Sequence, residues 1–203
     1  MDDTNRRDEP AQSHDAASAA KPVAELSHVD ETGAARMVDV SEKSVTHRRA
    51  VASAFLEARP ETVAMVVAGE APKGDVLAAA RVAGIMAAKR TSDLIPLCHP
   101  LAITHASVII EPVAQGVRTG FGITATVEVD GKTGVEMEAL SAAAIAGLTL
   151  YDMCKAVDRG MVLTDVMLLS KEGGRSGLWS RSAAAGDASE RSEPPGPHIV
   201  KGV

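Results

Sequence analysis

Charged side chains that could do chemistry cluster at three places in the chain. Gly134-Val135-Glu136-Met137-Glu138 carries two carboxylates two residues apart. Asp152 and Lys155 stand one helical turn apart further on. Far upstream, Lys73-Gly74-Asp75 sets an ammonium ahead of a residue suited to cap a helix. Two carboxylates and a lysine in one cleft can divide acid and base roles, because burial and neighbours drive their pKa values apart. A lysine flanked by other cations loses its proton more readily and can act near neutrality. Lys73, at the positive end of a helix dipole with free N–H groups, suits an anion. It does not open a P-loop, because the Gly-x4-Gly-Lys-Ser/Thr spacing is absent.

Each cluster also has a plain structural reading. Asp152 and Lys155 can be ordinary surface support on a helix, and a lysine before a capped helix is usually solvated. Glu136 and Glu138 point the same way if their segment is extended, and diverge by about 200° if it is helical. His99 lies in Leu97-Cys98-His99-Pro100, where two prolines (Pro96 and Pro100) stiffen the turn around an imidazole. Most single histidines are structural, and Cys98 beside it reads as a buried thiol. His28, Cys98, His99 and His105 do not form a zinc spacing, so no metal ligand set is expected.

The elements that must place these residues can be read coarsely. Met37 to Ser41 alternates like a short strand, and Thr46 to Glu57 is compatible with a helix. Pro60 opens a helix that Gly69 can stop, and Asp75 caps a long Ala-rich helix running through Arg90. Ile103 to Glu111 and Val117 to Val129 read as strands, the second with strict period two, joined by a hairpin over Pro112 to Gly116. A second long helix covers Met137 to Val157. Its polar stripe of Glu138, Ser141, Thr149 and Asp152 spans about 80°, with Met137, Leu140, Ala144, Leu148 and Tyr151 opposite. Met161 to Lys171 is a last strand. The order of strand, helices, strand, strand, helix, strand predicts an α+β, ferredoxin-like split βαβ fold. This is a four-stranded antiparallel sheet with helices on one face. The other face is then bare, and a second subunit is one way to cover it.

The 203 residues fit one domain with tails. Residues 1–22 and 178–203 are polar, Ala/Ser-rich or Pro/Gly-rich and read as disordered, leaving 23–177 as the catalytic domain. With 21 basic and 27 acidic residues, the net charge of −6 disfavours a nucleic-acid partner. Phe55, Phe121, Tyr151 and Trp179 are too few for aromatic-stacking recognition. No apolar run reaches the roughly 18 residues of a membrane span, so no membrane partner is expected. The start of the chain does not read as a signal peptide. Two distant cysteines argue against a disulfide framework and suit the cytoplasm.

Six runs, in one order, resemble the MoaC family of cyclic pyranopterin monophosphate synthases in molybdenum cofactor biosynthesis. They are Lys73-Gly74-Asp75-Val76-Leu77, Ala87-Ala88-Lys89-Arg90-Thr91, Asp93-Leu94-Ile95-Pro96-Leu97-Cys98-His99-Pro100-Leu101, Gly131-Lys132-Thr133-Gly134-Val135-Glu136-Met137-Glu138-Ala139-Leu140, Leu150-Tyr151-Asp152-Met153-Cys154-Lys155-Ala156-Val157 and Gly173-Gly174-Arg175-Ser176-Gly177. The likeness covers about residues 25–177; the tails fall outside it.

The resemblance implies a ferredoxin-like subunit in a homohexamer, a trimer of dimers with active sites at the dimer interface. It implies a small-molecule substrate, the cyclised GTP 3′,8-cyclo-7,8-dihydro-GTP, converted to cyclic pyranopterin monophosphate with release of pyrophosphate. No cofactor is required; Mg2+ could accompany the triphosphate. By the same resemblance Lys73, Asp152 and Lys155 belong to the catalytic centre. Glu136 and Glu138 serve base and proton transfers. Arg48, His99 and Lys171 grip phosphates, with Met137 among the substrate contacts. The alternative is a ferredoxin-like module that senses a nucleotide without turning it over.

Overall fold

Alanine at every second position, Ala50, Ala52 and Ala54, followed by Leu56, makes one buried row. Arg49, Val51, Ser53 and Phe55 take the other face. That is a strand, β1 (Thr46–Glu57), in the computed structural model, which describes residues 32–114, 118–175 and 177–181. The expectation of a helix here was wrong. Alanine favours helices intrinsically, but period-two burial between two neighbouring strands overrides that preference.

The chain continues through α1 (Pro60–Val67), α2 (Val76–Lys89), a single turn α3 (Thr91–Leu94), β2 (His105–Val113) and β3 (Gly120–Gly131). Then come α4 (Glu136–Cys154), β4 (Val162–Glu172) and β5 (Trp179–Ser180). The sheet order is β2-β3-β1-β4-β5, antiparallel at every pair. Its first four strands have the ferredoxin-like arrangement. Helices α2 and α4 pack on each other and against the sheet face that carries Ala52, Leu56, Ile123 and Val127. The opposite face, with Val51 and Phe55, is left partly exposed.

Two further expectations need correction. Met37 to Ser41 is not a strand. The Asp39 carboxylate accepts from the Ser41 N–H (2.9 Å) and hydroxyl (2.6 Å), and Lys43 N–H donates to Val40 O (3.0 Å). Those local turn bonds displace a ladder. The sheet also has five strands, not four, because Trp179 and Ser180 pair with Lys171 and Ser170 and Arg181 Nε donates to Leu168 O. Those residues fall in the stretch expected as a tail; 1–22 and 182–203 lie outside the described residues, as do 115–117 in the expected hairpin.

The helix signals held. Asp75 caps α2 by accepting from Ala78 N–H at 2.9 Å, and Pro60 is the first residue of α1. Between α2 and α4 the packing is built from small residues. A Cβ on Gly84 would stand 2.8 Å from Ala142 O, a backbone atom that cannot yield. The buried side of α4 is Glu138, Ala139, Ala142, Ala143, Ala146, Gly147 and Leu150. This differs from the apolar side expected from sequence, since Leu148 is exposed. Close helix contact favours alanine and glycine over leucine there.

Candidate active site

Asp158, buried just past α4, accepts from Arg59 N–H (2.9 Å), Thr62 Oγ1 (3.1 Å) and Gly160 N–H (3.2 Å). The Arg59 side chain also donates to Val157 O. These bonds tie the start of α1 to the end of α4. The turn after α1 carries Lys73, whose Nζ donates to Asp152 Oδ2 (3.1 Å) and to Asp152 O (2.9 Å). Lys155 Nζ pairs with the other carboxylate oxygen at 2.6 Å. One carboxylate is thus shared by two ammonium groups, all three about half exposed.

Hydrogen bonds from Lys155 and then Lys73 hold the Asp152 carboxyl below the usual range. Asp152 in turn raises Lys155, by hydrogen bond and charge. The expectation of a lysine loosened by neighbouring cations therefore fails for Lys155. The carboxylate between the two lysines stabilises the protonated form instead.

At the other end of α4 lies a cleft of about 420 Å³, a size that suits a small-molecule ligand. Glu136, Met137, Glu138, Cys98 and His99 line it, with Val38 and Lys43 from the strap before β1. His99 Nε2 lies 2.9 Å from Val38 O, so the ring nitrogen donates to the strap and carries its proton there. Glu138 is 4 % exposed. Burial first, and then the charge of Glu136, raise it to about 7, against the lowering effect of its own backbone N–H. Such a group exchanges a proton near neutrality. Cys98 is only half-buried, and its thiol is raised first by burial and then by Glu138.

Because the segment is helical, Glu136 diverges from Glu138 and turns to Lys171 Nζ (2.9 Å). Beside them is a small pocket of about 40 Å³ that Arg48 also lines. Arg48 Nε donates to Gly131 O (2.9 Å) and Nη2 to Lys132 O (3.1 Å), fastening the loop that leads into α4. The residues at this end are thus brought together. Lys73, Asp152 and Lys155 are not brought to them within one chain: Glu136 and Asp152 are separated by about 24 Å of helix, sixteen residues at about 1.5 Å each.

The family model described as MoaC family matches residues 37–174, which contain both ends of α4 and every strand but β5. The chain belongs to the MoaC family. It is 59% identical to cyclic pyranopterin monophosphate synthase of Thermomicrobium roseum over 159 residues, 78% of this chain and 95% of the relative. The protein of that name from Chloroflexus aurantiacus is 57% identical over 157 residues, 77% of this chain and 95% of its own. Cyclic pyranopterin monophosphate synthase 1 of Mycobacterium tuberculosis is 57% identical over 159 residues, 78% and 92% of the two chains.

Sequence reasoning missed Lys43 and Asp158. Lys43 had no local signal, because the cleft forms only when the strap crosses to α4. Asp158 had one: an acid just past the end of a long helix, where charge is unfavourable unless another helix N-terminus takes it. Among the described residues, no group of three or more His, Cys, Asp and Glu could hold a metal ion. Among them, too, no helix is long and apolar enough to cross a membrane.

Proposed function

We propose that this chain is a cytoplasmic lyase that converts 3′,8-cyclo-7,8-dihydro-GTP to cyclic pyranopterin monophosphate and releases pyrophosphate. The observation that carries this reading is the family match, which runs unbroken over both clusters of acids and lysines. The relatives' shared name supports it.

The chemistry uses what each cluster offers. A substrate hydroxyl attacks the α-phosphorus, the bond from that phosphorus to the bridging oxygen breaks, and pyrophosphate leaves with its electron pair. Lys171, Arg48 and a polar wall with His99 would hold the phosphates and offset charge on the leaving group. Opening and reclosing the purine-derived ring moves protons between carbon, nitrogen and oxygen. Glu138, poised near neutrality, and the Lys73–Asp152–Lys155 cluster are the groups for those transfers. No resident cofactor is needed for these steps; Mg2+ would arrive on the triphosphate.

One copy separates its two clusters by a helix length, so a complete site takes one end of α4 from each of two copies. A two-fold pair does this twice, and three pairs make the homohexamer. The exposed Leu148 and the bare sheet face are surfaces such an assembly would cover. The test is to incubate the full chain with the cyclised GTP and measure pyrophosphate and pterin product. Release of both supports the enzyme; binding without release supports a nucleotide sensor.

A further inference from the structure

Gly134 closes the loop into α4, yet its backbone does not call for glycine. Its φ lies outside the left-handed range that Gly69, Gly74, Gly173 and Gly174 occupy. What is missing at Gly134 is room. A Cβ built there would overlap Glu136 Oε2, with Glu136 Cδ at 2.7 Å and Oε1 at 2.8 Å. Gly131, the last residue of β3 and five residues ahead of the helix, contrasts with it. A Cβ on Gly131 would meet nothing closer than 3.5 Å. The three atoms nearest to the Cβ position at Gly134 all belong to the Glu136 carboxylate.

From that position Glu136 Oε1 accepts from Lys171 Nζ at 2.9 Å. Glu136 also lines both the small pocket with Arg48 and the larger cleft with Glu138. We propose that Gly134 is a positioning residue, whose absent side chain is the seat that holds the Glu136 carboxylate against Lys171. The inference rests on the proposed function for its catalytic consequence. A methyl group on that seat is cheap for the fold, since the atoms it displaces are the far end of a flexible side chain. It is costly for the site, because the carboxylate must swing away and leave Lys171 without its partner.

Two measurements test this on the full chain. The first is independent of turnover: the 15N signal of the Lys171 ammonium. Gly134→Ala should shift it as Glu136→Gln does; an unchanged signal in Gly134→Ala overturns the seat. The second is a double-mutant cycle with 3′,8-cyclo-7,8-dihydro-GTP. Glu136→Gln is expected to lower kcat about 10²-fold. Gly134→Ala should lower it roughly tenfold to hundredfold, with KM within about threefold of wild type. The double variant should be no slower than the worse single one.

Losses that multiply would mean Gly134 acts other than through Glu136, and overturn the inference. Wild-type kcat in Gly134→Ala beside an impaired Glu136→Gln overturns it while the proposed function stands. Wild-type kcat in Glu136→Gln removes Glu136 from the reaction and the inference with it. Should Gly134→Ala fail to fold, Gly134→Ala/Glu136→Ala must fold, because the overlapping atoms are gone; failure to recover also overturns the seat.

Discussion

Lys73 Nζ reaches Asp152 twice, at 3.1 Å to the carboxylate and 2.9 Å to the main-chain oxygen, across 79 positions of sequence. The two groups lie on the surface in one chain, where an ion pair adds little to stability. On the proposed function their value is chemical. Lys73→Ala and Asp152→Ala should each lower turnover roughly 10²-fold or more, while the thermal midpoint hardly moves. Steady-state pyrophosphate release beside a melting curve checks both halves. Full turnover in both variants would remove this cluster from the mechanism.

Glu138 couples stability to pH. Its carboxyl is raised in the fold from the ordinary 4.5 to about 7, chiefly by burial. Between those values the folded chain holds a proton that the unfolded chain has released, so stability falls as pH rises and levels off above about 7. Glu138→Gln should abolish that slope and gain up to about 3 kcal/mol at pH 8 relative to wild type. Urea melts at pH 5 and pH 8 decide it; parallel changes in both proteins would contradict the burial argument.

The helices were legible because their signals are local: Pro60 as the first residue of α1, Asp75 as the cap of α2, the long Ala-rich run of α4. The strand order was legible too, although β1 was placed too early, at Met37 to Ser41 instead of Thr46–Glu57. The topology survived because one strand before the helices is all the order requires. The alanines of β1 hid it. They are small because α4 lies directly on them, a tertiary demand that no window of sequence displays. The surface position of Asp152 followed from the helical stripe. The burial of Glu138, three residues from Ser141 on the same stripe, did not, because the strap that walls its cleft comes from nearly a hundred residues away.

Asp158 should matter to the fold more than to the chemistry. Burial raises its carboxyl, but the Arg59 N–H, the Thr62 hydroxyl, the Gly160 N–H and the Arg59 charge together bring it below its ordinary value. A carboxyl depressed in this way lends stability above about pH 4 that disappears as pH falls through its folded pKa. Asp158→Ala should cost about 2–3 kcal/mol near neutrality, since it leaves buried donors unpaired. The loss relative to wild type should shrink in acid. Chemical denaturation at pH 7 and pH 3 checks the sign, and an equal loss at both would mean the side chain acts by packing alone.

If each complete site draws one end of α4 from each of two copies, two dead variants can repair one another. A Lys73→Ala chain lacks the C-terminal half-site and a Glu138→Gln chain lacks the N-terminal one. A mixed pair then has one doubly damaged site and one intact site. After random exchange half the pairs are mixed, so about a quarter of wild-type turnover should return. The experiment is to unfold the two inactive proteins together, refold, and assay pyrophosphate release against each refolded alone. Lys73→Ala mixed with Asp152→Ala is the control, because both defects fall in the same half-site and every Lys73–Asp152 pair lies within one chain. There a mixed pair still presents one defect at each site, so no activity should return. No recovery in the test mixture would place the whole reaction within a single chain or outside these two clusters, and recovery in the control would mean that Lys73 and Asp152 act from different chains.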